Sequence, residues 1–122
     1  MKKFSLLILI GFLIGCTSVI ASNYLEKDIY ERNMNDAYAL LRGNLTTQDE
    51  YYKAFEMIGF VKGITFTFAN AASTEKEYDC VNKSPLVWED IVFDKYKKGE
   101  LSSNSIFVSE LIKEVSKCIK KK

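Results

Sequence analysis

The sequence predicts an all-α protein: a small bundle of about four helices tied by one disulfide, Cys80–Cys118. Three observations carry this. Apolar residues recur at steps of three and four along most of the chain after residue 23. Helix start and stop residues punctuate it: Thr47, Ser84-Pro85, Gly43 and Gly99. Two cysteines fall within the part expected to fold. With 122 residues, 48% of them apolar, the chain has the material for one domain.

The N-terminal segment decides the cysteine count. Lys2 and Lys3 precede an uncharged run from Phe4 to Ile14, and small and polar residues follow. That is the layout of an export signal. The run is far shorter than the roughly 20 residues a membrane-spanning helix needs. Two processing sites compete. Val19-Ile20-Ala21 would give a product starting at Ser22. Leu13-Ile14-Gly15-Cys16 resembles the lipobox of bacterial lipoproteins, in which the cysteine is acylated and becomes the new N-terminus. The expected layout is an export signal over 1–15 (alternatively 1–21), a tether over 16–22 with Cys16 lipidated, and a single helical domain over 23–122. The expected location is the periplasmic side of a bacterial cell envelope, lipid-anchored, or else soluble in the periplasm or secreted.

Either site leaves Cys80 and Cys118. Thiols exported to an oxidising compartment pair, and two cysteines allow one connectivity. In the chain-entropy picture, a loop spanning 38 positions contributes roughly 4 kcal/mol. No C-x-x-C pair points to redox work, and no histidine accompanies the thiols to make a zinc site.

The first helix is expected over 23–42. Asn23 caps it, with Glu26 in a capping-box-like position. Tyr30, Met34, Ala37 and Leu41 share one face, and Arg42-Gly43 stops it. Thr47-Gln48-Asp49-Glu50 is a capping box opening the second helix. Ala54, Ile58, Val61, Thr65, Phe68 and Ala72 follow its period, and Tyr51, Phe55, Met57 and Phe60 widen the apolar stripe. Such width predicts a central helix buried on most sides. Gly59 and Gly63 form a small-residue notch expected to receive a neighbouring helix. Residues 64–68 alternate with period two, as a strand would, but the helical period runs through them.

Residues 73–83 read as a polar loop. Ser84-Pro85 starts the third helix, with Trp88, Ile91, Val92 and Tyr96 on its buried face and Gly99 at its end. Ser102 or Ser103 opens the fourth, with Val108, Leu111, Ile112, Val115, Cys118 and Ile119 along one stripe.

Four features of the second half stand in order: Gly59-Phe60-Val61-Lys62-Gly63, Cys80, the helix segment Ile91-Val92-Phe93-Asp94-Lys95-Tyr96 and a last helix closing at Cys118. In these, over roughly residues 50–118, the chain resembles the Rap/Tai-type immunity proteins of type VI secretion systems. Met57-Ile58 stands where the family often has a further cysteine. The resemblance implies a small helical periplasmic protein with a structural disulfide that binds and neutralises a toxin.

Composition narrows the function classes. Histidine is absent, which removes the usual general base, pH switch and metal ligand. The sequence holds no phosphate loop, nucleophile–base set or metal-ligand spacing, so neither catalysis nor a cofactor is expected. Removing Lys2 and Lys3 from the 17 basic residues leaves 15 against 16 acidic ones, which gives nucleic acid no basic surface. The expected partner is another protein. Glu75, Glu77 and Asp79 beside Tyr78 are the candidate contact residues, since aromatics flanked by charge anchor interfaces. The competing role is a cell-envelope lipoprotein with a structural or chaperone-like task.

Overall fold

In the computed structural model, residues 29–120 are described. The expected export signal, Cys16 and the expected cap at Asn23 lie outside them. Five helices follow in order: α1 (Met34–Arg42), α2 (Gln48–Ala71), α3 (Glu75–Val81), α4 (Pro85–Lys97) and α5 (Phe107–Ser116). The fold is a small all-α bundle with the Cys80–Cys118 disulfide. The 24-residue α2 packs against all four others.

The first helix is not continuous over 23–42. Ile29 and Tyr30 are helical, then the chain turns, and α1 starts after Asn33. The Asn33 side-chain oxygen accepts the Asp36 backbone N–H at 2.9 Å. The break is fixed from far along the chain. Met34 N–H donates to the Ser105 carbonyl at 2.8 Å, and Phe107 N–H donates to the Arg32 carbonyl at 3.2 Å. The starts of α1 and α5 thus satisfy each other's unpaired amides. This also explains why α5 begins at Phe107, not at Ser102 or Ser103, and needs no side-chain cap. Met34, Ala37 and Leu40 are the buried residues of α1, whereas Tyr30 is half exposed.

The helix α2 starts as expected. Thr47 Oγ1 accepts the Glu50 N–H at 3.2 Å, and its hydroxyl donates to the Glu50 carboxylate at 2.9 Å. It runs unbroken through residues 64–68, so helical period wins over local alternation there. Its buried residues are Ala54, Met57 and Val61, one face only. The expectation of burial on most sides does not hold.

Residues 73–83 are not a loop but contain α3. Thr74 Oγ1 accepts the Glu77 N–H at 3.2 Å. Trp88 covers the other end, its Nε1–H donating to the Val81 carbonyl at 2.9 Å. The disulfide joins α3 to the turn after α5, with Cα atoms 5.6 Å apart. The helix α4 has the expected ends: Ser84 Oγ accepts the Val87 N–H, and Gly99 takes φ +76°. That left-handed conformation suits glycine. At Gly43 a Cβ would stand 2.1 Å from the Ala39 carbonyl oxygen.

The core centres on Phe93, which the expected face of α4 omitted. It stacks on Phe107 at 5.3 Å and takes the edge of Tyr38 at 5.2 Å. Met34, Met57, Val61, Leu111 and Val115 are buried in the same core.

Candidate protein-binding surface

The outer face of α2 is aromatic and open. Tyr52, Phe55 and Phe66 are 59%, 65% and 70% exposed. They share this face with Gly59, Gly63 and Asn70, by the three-and-four spacing of a helix. A Cβ placed on either glycine would meet nothing within 4 Å. The expected neighbouring helix in the notch is therefore not there among the described residues. Rings at three exposed positions on one stripe form an apolar patch, the kind of surface that marks an interaction site.

At its C-terminal end this face opens into a groove of about 530 Å³. From α2 the groove is lined by Lys62, Thr65, Phe66, Ala69 and Asn70. From α3 and the turn into α4 it takes Tyr78, Asn82, Lys83, Ser84 and Pro85. Leu86 and Val87, exposed on the first turn of α4, directly follow it in sequence.

The four candidate contact residues all lie on α3 and separate into two groups. Tyr78 is 47% exposed and lines the groove, and Glu75 and Asp79 are exposed. Glu77 is buried and turned away. Its Oε2 accepts the Ser73 backbone N–H at 2.9 Å. That hydrogen bond holds its carboxyl below the usual carboxylate range, with burial opposing and Lys120 assisting. Glu77 thus stabilises the start of α3 and is not a contact residue.

Lys83 is partly engaged. Its ammonium donates to the Cys80 carbonyl and lies 4.6 Å from the centre of the Trp88 ring. Lys62 makes no ion pair among the described residues. Four lysines elsewhere on the bundle are paired: Lys53 with Asp49, Lys113 with Glu110, and both Lys95 and Lys117 with Glu114. Burial works against ionisation of Glu114, but the hydrogen bonds from Lys117 and Lys95 outweigh it and hold its carboxyl low. The same Glu114 contact raises Lys95.

One buried carboxyl stands apart from these pairs. Glu89 is 1% exposed, and its Oε1 has no hydrogen-bond partner among the described residues. Burial pushes its pKa up, and Arg42 at 3.9 Å offsets only part of that. Arg42 is bound more closely to Asp90. Glu89 is enclosed in the bundle and does not line the groove.

Sequence reasoning missed Phe66, Lys62 and the groove. A usable signal was present: Phe55, Gly59, Gly63 and Phe66 lie on one stripe opposite Ala54, Met57 and Val61. Among the described residues, no group of three or more metal-ligating side chains converges, and no helix is long and apolar enough to cross a membrane. No protein-family model, curated protein or solved structure matches the chain.

Proposed function

We propose that this chain is an exported cell-envelope protein that binds and neutralises a partner toxin, in the manner of an immunity protein. In this reading it is held at the membrane by a lipid on Cys16. The observation that supports protein binding is the exposed aromatic face of α2 running into the Tyr78 groove. Aromatic anchors at an open groove supply contact area with few rotatable bonds to freeze. No reaction is assigned to it, and it needs no cofactor.

The test pairs the intact protein with a candidate exported toxin. Cells carrying the chain should survive the toxin, and the tagged chain should retain it from a lysate. Survival without retention, or no survival, overturns the reading. Mass spectrometry addresses the anchor: a lipid-modified chain starting at Cys16 is expected, and a free amine at Ser22 overturns it.

The same open aromatic surface also suits a chaperone-like envelope lipoprotein that holds unfolded chains. Two unrelated aggregating clients separate the readings. A holdase protects both, whereas a toxin-specific protein protects neither.

A further inference from the structure

We infer that the groove between α2 and the α3–α4 turn receives an acidic, amphipathic peptide segment of the partner protein; this rests on the protein-binding reading above. Carboxylates of that segment sit on Lys62 and Lys83, and its apolar side chains lie between Phe66 and Tyr78.

Charge complementarity carries the choice of occupant. The groove lining holds two ammonium groups and no carboxylate. No ion pair among the described residues uses either lysine. Along α2 the other lysine, Lys53, is paired with Asp49 one turn away. Both lysines of the groove thus carry charge free of a carboxylate partner among the described residues, beside Phe66 and Tyr78. The positive end of the α4 dipole, beginning at Pro85, adds to the same sign. Asn70 and Asn82 supply amide donors and acceptors for a peptide backbone. A volume of about 530 Å³ lies within the range of roughly 300–1,000 Å³ typical of ligand sites, enough for a few side chains.

A second copy of this chain fits less well. Two α2 helices crossing antiparallel at the Gly59–Gly63 notch would meet on a two-fold axis. Lys62 lies between those glycines in sequence, so each copy's ammonium would come close to the other's. Like charges facing each other oppose such a dimer. An acidic segment meets the same lysine with attraction.

The probe is a fluorescein-labelled 14-residue peptide with leucines at helical spacing and glutamates between them. A control peptide carries lysine in place of every glutamate. Fluorescence polarisation is read on the intact exported protein at low and moderate salt. The acidic peptide should bind at least tenfold more tightly than the control, and more weakly as salt rises. Lys62→Glu and Phe66→Ala should each weaken it about tenfold. Both side chains are exposed, so an unchanged thermal melt verifies the fold of each variant. Lys113→Ala, on α5 and away from the groove lining, should leave peptide binding unchanged. Equal binding of both peptides, no binding, indifference to Lys62→Glu, or protein dimers in sedimentation would each overturn the inference. If Lys62→Glu still neutralises the toxin as well as the unaltered chain, this inference fails while the protein-binding reading stands. If the unaltered chain neutralises nothing, the reading itself fails, whatever the peptides do.

Discussion

The two faces of α2 have similar apolar content and opposite fates. Ala54, Met57 and Val61 are buried against the rest of the bundle, whereas Tyr52, Phe55 and Phe66 face outward. On the inner side Phe60, Ile64 and Phe68 also pack against the core. The outer face sets two glycines, Gly59 and Gly63, between large rings, and no helix among the described residues covers it. Hydrophobicity alone does not place a side chain in a core. What places it there is an opposing surface, and the bundle supplies one on a single side of α2. The exposed rings are then available for a partner.

The largest effect that tests this contrast comes from the disulfide, which ties α3 and its groove residue Tyr78 to the end of α5. Replacing both cysteines with serine should lower stability by roughly 4 kcal/mol, read by urea unfolding. A loss under about 1 kcal/mol would show that packing alone holds α3 against α2. Next, Met57→Ala on the inner face should cost about 3 kcal/mol, because Met57 is fully buried and leaves a cavity. Phe55→Ala on the outer face should change stability by less than about 0.5 kcal/mol. Equal losses at the two positions would mean the outer face is covered in the folded protein.

A third test uses Glu89, buried with an unpartnered oxygen. Its folded pKa is raised, so the folded state binds a proton more tightly than the unfolded chain. Its contribution to stability is present below the ordinary glutamate pKa and is lost as pH rises through the raised value. Glu89→Gln should therefore stabilise the protein at neutral pH by roughly 1–2 kcal/mol, with the gain vanishing in acid. Thermal melts from pH 4 to pH 8 check the sign. A gain that grows toward acid would contradict it. A smaller effect than that of Glu89 belongs to the glycines. Gly59→Ala and Gly63→Ala face open space in a helix interior, so each should add up to about 1 kcal/mol. Destabilisation by either would mean that the notch is filled.

Much of the fold was legible because helix ends are local chemistry. Thr47 with Glu50, Ser84 with Pro85, and Gly99 act within three or four residues, and each marks an end where expected. Of the candidate contact residues, Tyr78 reaches the groove, and Glu75 and Asp79 are exposed beside it. Glu77 was misjudged because a carboxylate three residues after a threonine serves equally as a surface charge or a helix-start acceptor. The polar run 73–83 concealed α3 for a related reason. A seven-residue helix has too few turns to display a period, and its ends are secured by Glu77 and by Trp88 from α4.

The sequence by itself determined the helical class, the caps of α2 and α4, and the pairing of Cys80 with Cys118. Those depend on hydrogen bonds a turn apart and on the two thiols that lie beyond the N-terminal apolar segment. Only the tertiary structure decided the break before Met34, the burial of Phe93 and Glu89, and which aromatic face of α2 stays open. Each of those depends on a group from elsewhere in the chain: the carbonyls of Ser105 and Arg32, the ring of Phe107, and the helices that pack on one side of α2 and, among the described residues, leave the other uncovered. A helical period gives the spacing of a stripe, but a helix with two apolar stripes becomes one-sided only when its neighbours take their places.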